Sequence, residues 1–316
     1  MTQIGEGVDV GMIDTDEDDC PFDHDTPKPP TVSNKLIGSG TTLASRMKAG
    51  SSTHLYAPLK KKVVSIVATD AASGKVYTHL YPVTCAAHHL IPAQESLQDS
   101  PLLAFMVKKG EGGDSAKRKV AGVFGDGIVW ANVGYDVNGA ENGVYLPGSY
   151  AVGGGRGGMG VWTKNDDKPD REEEDVADVP DAASTELTGA LNEISETNRK
   201  WLYVSKAMEL TPGQFHDRHE DYSDFIAQVL EKIFIDLEAR RGFYIEELNC
   251  PDCKKRVKDM KELGVPTPFG LVARLNGVSK RMTGFVNGSA WARNIFTSKW
   301  GQAYMKAELA KKKPKK

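Results

Sequence analysis

Four of the seven histidines in this 316-residue chain fall in two close pairs, His88-His89 and His216 with His219. That placement constrains the fold more than any other feature. If both pairs serve one site, the chain must double back so that segments far apart in sequence meet. An adjacent pair can divide its labour, because one imidazole can hold a metal while its neighbour takes a proton. A doublet alone also suits two surface or capping side chains, so the surrounding residues decide.

Upstream of the doublet, Val63 to Ala68 and Val76 to Tyr81 are rich in β-branched and aromatic residues on either side of a turn at Ala71 to Gly74, which predicts a hairpin. The second arm leads directly to His88, so a strand and loop present the pair, with Leu90-Ile91-Pro92 behind it. A short helix is expected around Leu102 to Val107. Between Gly134 and Pro147 the pairs Asn138-Gly139 and Asn142-Gly143 mark turns around a short apolar strand. Tight turns account for both asparagines without any chemical role. Tyr222, Phe225, Ile226, Val229, Leu230, Ile233, Phe234 and Leu237 recur at intervals of three and four, which predicts an amphipathic helix with one buried stripe. His216 and His219 stand at its expected start. Residues three apart on a helix face the same side, so both imidazoles could reach one ion.

Apolar residues make up 40% of the chain, enough for a real core. No apolar run approaches the roughly 20 residues that span a bilayer. The first residues are acidic where a signal peptide would be basic, so the expectation is a cytoplasmic protein, with export only by a route that needs no cleaved signal. Charge is unevenly distributed: from Arg240 to Lys316 there are 18 basic residues against 6 acidic ones, within a chain whose formal net charge is −3. A positive segment speeds encounter with polyanions and so favours a nucleic-acid partner, although the terminal lysine run also fits a solvated tail. In the same region Arg274, Lys280, Arg281, Arg293 and Lys299 alternate with Phe285, Trp291, Phe296 and Trp300, a pattern that fits either a nucleic-acid surface or ordinary packing.

Residues 1–60 have little periodicity and read as a flexible leader, mobile or draped on the domain. Gly153 to Gly160 lacks the Gly-Lys-Ser/Thr ending of a phosphate loop and reads as a link, followed by an acidic, Pro-containing stretch. Cys250-Pro251-Asp252-Cys253 has the spacing of half a zinc knuckle without the other half. A turn with reduced thiols, a redox disulfide and a zinc site completed elsewhere all remain open for it.

Taken in order, Ala87-His88-His89 with Ile91-Pro92, then Asp136-x-Asn138 leading to Asn142-Gly143 and Leu146-Pro147, then His219 and Tyr222, resemble the AHH branch of the HNH and endonuclease VII nuclease superfamily. The resemblance covers roughly residues 79 to 238. It implies an α+β fold with a ββα-metal (His-Me finger) core, extended by a helical, basic C-terminal region and preceded by the mobile leader. The domain reading is then a leader at 1–60, a nuclease domain at 61–240 with a Gly-rich and acidic insertion at about 148–200, and a basic region at 241–316 that contacts nucleic acid.

Phosphodiester hydrolysis needs a base active near neutral pH and a cation to stabilise developing charge, and histidine suits the first. By the resemblance His89 is the base and His88, turned the other way along the strand, a metal ligand. His216 and His219 are expected to complete a three-imidazole site, which suits zinc, nickel or manganese better than magnesium. Asn142 resembles the family asparagine that braces the loop or orients the base, with Asn138 as second candidate. The implied activity is metal-dependent endonuclease cleavage, of DNA rather than RNA, by an antibacterial effector. The implied partners are DNA, an immunity protein and a component of a secretion system. A second reading is a non-enzymatic module in which zinc staples a nucleic-acid-binding or scaffolding domain.

Overall fold

The computed structural model describes residues 32–49, 63–69, 76–82, 85–111, 124–148, 203–205, 207–211, 213–216, 220–246, 251–252, 254, 262–287 and 295–311. The fold is of the α+β class. The principal elements, in chain order, are helix α1 (Gly40–Ala49), strands β1 (Val63–Thr69), β2 (Val76–Pro82), β3 (Cys85–His89) and β4 (Gly143–Pro147), and helices α2 (Glu220–Glu246), α3 (Leu271–Asn287) and α4 (Lys299–Lys311). Among the described residues the strands form two two-stranded sheets, β1 with β2 and β3 with β4. The first is the antiparallel hairpin expected from sequence, in register from Val63 opposite Pro82 to Thr69 opposite Val76. Its expected turn, at 71–74, lies outside the described residues, as do the Gly-rich link, the acidic stretch and Cys250 and Cys253. No helix among the described residues is long and apolar enough to cross a membrane.

By packing, the chain falls into two compact units, neither of them contiguous: 1–47 with 89–143 and 223–282, and 48–88 with 144–222 and 283–316. In the first unit the segment expected as a leader supplies core: Leu36, Leu43 and Met47 are at most 1% exposed. Its apolar residues are too sparse to show a period, but Leu43 and Met47 stand one helical turn apart on α1 and so share a face. Gly143 makes room for them, since a Cβ there would lie 2.5 Å from Met47 Sδ and 2.9 Å from Leu43 Cδ1. Lys35 fixes the approach by donating its N–H to Tyr135 O and accepting from Val137 N (2.9 and 2.8 Å).

The expected stripe is present on α2, where Tyr222, Ile226, Val229, Leu230, Ile233 and Leu237 are buried, while Phe225 and Phe234 at its edges are half-buried. Each such aliphatic side chain stabilises the fold by roughly 1.5–3 kcal/mol. The short helix expected near 102–107 is a 3-10 turn, Pro101–Phe105, capped where Ser100 Oγ accepts from Leu102 N at 3.2 Å. Its Phe105 packs against Phe234 of α2, ring centres 6.0 Å apart.

In the second unit β4 is buried along its whole length. Gln214, fully buried, ties the C-terminal chain in place: its Oε1 accepts from Thr297 N and its Nε2 donates to Ile295 O, both at 2.9 Å. Phe296 and Trp300 are consequently buried, so these two aromatics of the basic region serve packing and are not presented for base stacking. Trp291 and Arg293 lie outside the described residues. On α3, in the first unit, Lys280 and Arg281 are exposed, while Arg274 pairs with Asp236 of α2 at 3.0 Å.

Candidate active site

Strand β3 ends in the doublet, and successive side chains of a strand point to opposite faces. His88 and His89 therefore enter different surroundings although one peptide bond joins them; the division between the two units falls at that bond.

His89 is half-buried in the first unit. Its Nε2 lies 3.0 Å from Asn138 Oδ1. The same oxygen accepts from Ser39 N at 2.7 Å, and Asn138 Nδ2 donates to Ile37 O at 2.9 Å. Asn138 is itself placed by Asp136, whose Oδ1 accepts from Asn138 N at 3.0 Å and whose carboxylate meets Arg46 and Lys35. Those ion pairs are partly exposed and contribute little stability alone, on the order of 0–1 kcal/mol each. Burial lowers the His89 pKa below its ordinary value, and the hydrogen bond to Asn138 opposes the shift only in part. The ring is thus neutral near pH 7 with a lone pair to offer.

Asn142 does a different job. Its Oδ1 accepts from Ile91 N and Ser279 Oγ, both at 2.8 Å, and its Nδ2 donates to Ile91 O at 3.1 Å and Val137 O at 2.8 Å. Four partners fill the hydrogen-bonding capacity of a carboxamide. Asn142 braces the chain just after the doublet, and Asn138, the second candidate, is the one that touches His89. Neither Asn-Gly pair turns through a left-handed glycine, since Gly139 and Gly143 have φ of −60° and −125°. Sequence reasoning missed Ser279. The signal was available, because a serine on the α3 face that also carries Leu275, Val278 and Met282 puts a hydroxyl among buried apolar side chains and so needs a partner.

In the second unit His88 is 3% exposed and its ring centre lies 4.4 Å from that of His216, the two planes at 56°. Tyr222, in the first turn of α2, meets His88 edge-on with ring centres 5.4 Å apart. Burial pushes the Tyr222 hydroxyl far above its usual range, so it stays protonated. His216 corrects one expectation: it is not helical. Its N–H donates to Pro147 O at 2.7 Å, and it forms a parallel bridge with Gly148 just past β4. The chain reaches His88 by strand pairing beside β4, itself the partner of β3, and α2 begins only at Glu220. A Cβ at Gly148 would collide with the backbone oxygen of His216, so glycine is what permits this approach. The same-face argument for His216 and His219 therefore fails, and His219 lies outside the described residues.

Among the described residues no three His, Cys, Asp or Glu side chains converge on a common point. What is present is a pair of imidazole rings with centres 4.4 Å apart, a nitrogen donor set that suits zinc or nickel better than magnesium, which prefers oxygen ligands. No protein-family model, curated protein or solved structure matches the chain.

Proposed function

We propose that this chain is a metal-dependent endonuclease that hydrolyses phosphodiester bonds, in DNA rather than RNA. The observation that carries the reading is the placement of the doublet. A neutral His89 is held through Nε2 by Asn138, and the preceding residue, His88, lies against His216. In this reading the chain carries the ββα-metal core of a His-Me finger, with the doublet at the end of β3. His89 takes a proton from the attacking water, and Asn138 keeps the ring aimed. Asn142 and Ser279 hold Leu90 and Ile91, and with them the end of β3, in register. His88, His216 and His219 would hold one divalent ion, zinc, nickel, manganese or magnesium, the last least suited to imidazole. When bound, the ion would stabilise charge on the phosphate and the leaving oxygen.

The biological setting proposed with it is that of an antibacterial effector. It would be cytoplasmic in its producer, exported into a target cell, and restrained by an immunity protein. The test of the chemistry is plasmid cleavage. Wild-type protein should nick supercoiled DNA, chelator should stop it, and His89→Ala should abolish it while leaving the melting temperature near that of wild type. Cleavage by His89→Ala at the wild-type rate would overturn the assignment.

The deep burial of His88 also suits the second reading, a zinc staple in a non-enzymatic nucleic-acid-binding module. Chelation separates the two, since stripping a structural ion unfolds what it holds together, whereas removing a catalytic one costs activity with only modest loss of stability.

A further inference from the structure

Asn138 is 6% exposed, and its carboxamide makes three contacts of unequal diagnostic value. A backbone N–H can only donate and a backbone carbonyl can only accept. Ser39 N at 2.7 Å therefore identifies the atom it faces as Oδ1, and Ile37 O at 2.9 Å identifies its partner as Nδ2. The amide cannot be turned over without setting N–H against N–H and oxygen against oxygen. The atom 3.0 Å from His89 Nε2 is consequently an acceptor. Which imidazole nitrogen carries the proton is set by the hydrogen bond the other atom makes or receives.

We infer that the backbone of Ile37 and Ser39, just ahead of α1, is a positioning device for the base: acting through Asn138, it holds the proton of His89 on Nε2 and leaves Nδ1 as the atom that accepts a proton from water. The inference rests on the proposed nuclease reading for its role in catalysis, but the proton placement is a property of the resting protein. It assigns a function to a stretch that sequence composition places in a leader. Gly38 belongs to the same device. A Cβ there would lie 2.8 Å from Ala93 Cβ and 3.7 Å from His89 Cε1, so the chain passes close over the ring because that residue has no side chain.

The test is nitrogen NMR of the full-length, 15N-histidine-labelled chain in chelating buffer at about pH 8, where a ring with an ordinary or lowered pKa is neutral. Wild type should show His89 as a single Nε2–H tautomer whose ring proton exchanges slowly with water. A wild-type ring protonated on Nδ1 overturns the inference whether or not the protein cleaves DNA. Asn138→Asp keeps an acceptor facing both Ser39 N–H and His89, and should retain the tautomer. Asn138→Leu should lose exchange protection of the ring proton, and kcat for plasmid cleavage should fall about a hundredfold with little change in KM. Ser39→Pro, which removes the N–H, should lower kcat relative to Ser39→Ala, which keeps it. Equal kcat in that pair, or an unchanged ring signal in Asn138→Leu, overturns the positioning role. Absence of cleavage by wild-type protein with the expected tautomer would instead count against the nuclease reading alone. If Asn138→Leu does not fold, the wild-type spectrum and the Ser39 pair decide.

Discussion

Replacing Asn142 by alanine is expected to be among the most damaging single changes in the first unit, although Asn142 does not touch the proposed base. The side chain is 1% exposed and its four hydrogen bonds reach Ile91 N, Ile91 O, Val137 O and Ser279 Oγ. A typical bond contributes about 1 kcal/mol net, and a buried group left without its partner costs about 1–3 kcal/mol. Local rearrangement and water entry will recover part of that, so the sum is not additive. The expected loss is about 3–5 kcal/mol, comparable with much of the stability of an ordinary domain. Urea unfolding should show this as a large fall in midpoint, and amide exchange should show it at Ile91, whose N–H is held by Asn142 Oδ1. Ser279→Ala removes one of the four bonds and should cost about 1 kcal/mol. Because the two residues share that bond, the double variant should cost less than the sum of the singles. An Asn142→Ala protein within about 1 kcal/mol of wild type would refute the reading of Asn142 as a brace.

Four further outcomes follow from particular residues. Gly277 and Gly284 lie inside α3 with open space where a Cβ would go, so alanine at each should raise stability by about 0.5–1 kcal/mol in urea melts. Alanine at Gly143 should instead lower it by about 1–3 kcal/mol, because Met47 and Leu43 already occupy the place. The pKa of His89 is lowered in the folded protein from 6.5, so below that pH the unfolded chain binds the extra proton first. Its stabilising contribution is complete above pH 6.5 and is lost as pH falls toward the folded value. The stability difference between wild type and His89→Gln should therefore shrink with acidity over that interval, and a difference independent of pH would contradict the shift. His216→Ala should weaken zinc binding by the full chain at least about tenfold in calorimetry, and unchanged affinity would remove His216 from the ligand set.

The parts of this molecule legible in sequence were those written in local pattern and composition. The stripe from Tyr222 to Leu237 specified α2, and the β-branched and aromatic residues on either side of a turn specified the β1–β2 hairpin. The packing of residues 32–49 was not legible, because three apolar side chains anchor that segment and only a distant glycine, Gly143, makes room for two of them. His216 was misplaced for a related reason. Proximity to a strong helix suggested a helical start, whereas its position is set by pairing with Gly148, a non-local contact without a sequence period. Of the two asparagines, both stood out as turn residues, but which one meets His89 depends on amide partners supplied from Ile37 and Ser39.

A strand end also explains how neighbours in sequence can take opposed surroundings. On a helix, residues i and i+1 are about 100° apart and share much of their surroundings. On β3 they are separated by the sheet itself, so His88 can be 3% exposed against His216 and Tyr222 while His89 stays half-open beside a polar amide. The arrangement needs both ends of the strand held in register, since a slip of one residue exchanges the two faces and with them the two histidines. That register is fixed just beyond His89 by Leu90 N donating to Asn142 O at 2.9 Å and by the Asn142 side chain on Ile91. Loss of Asn142 should therefore disturb the placement of both histidines together, where loss of Asn138 should affect His89 alone.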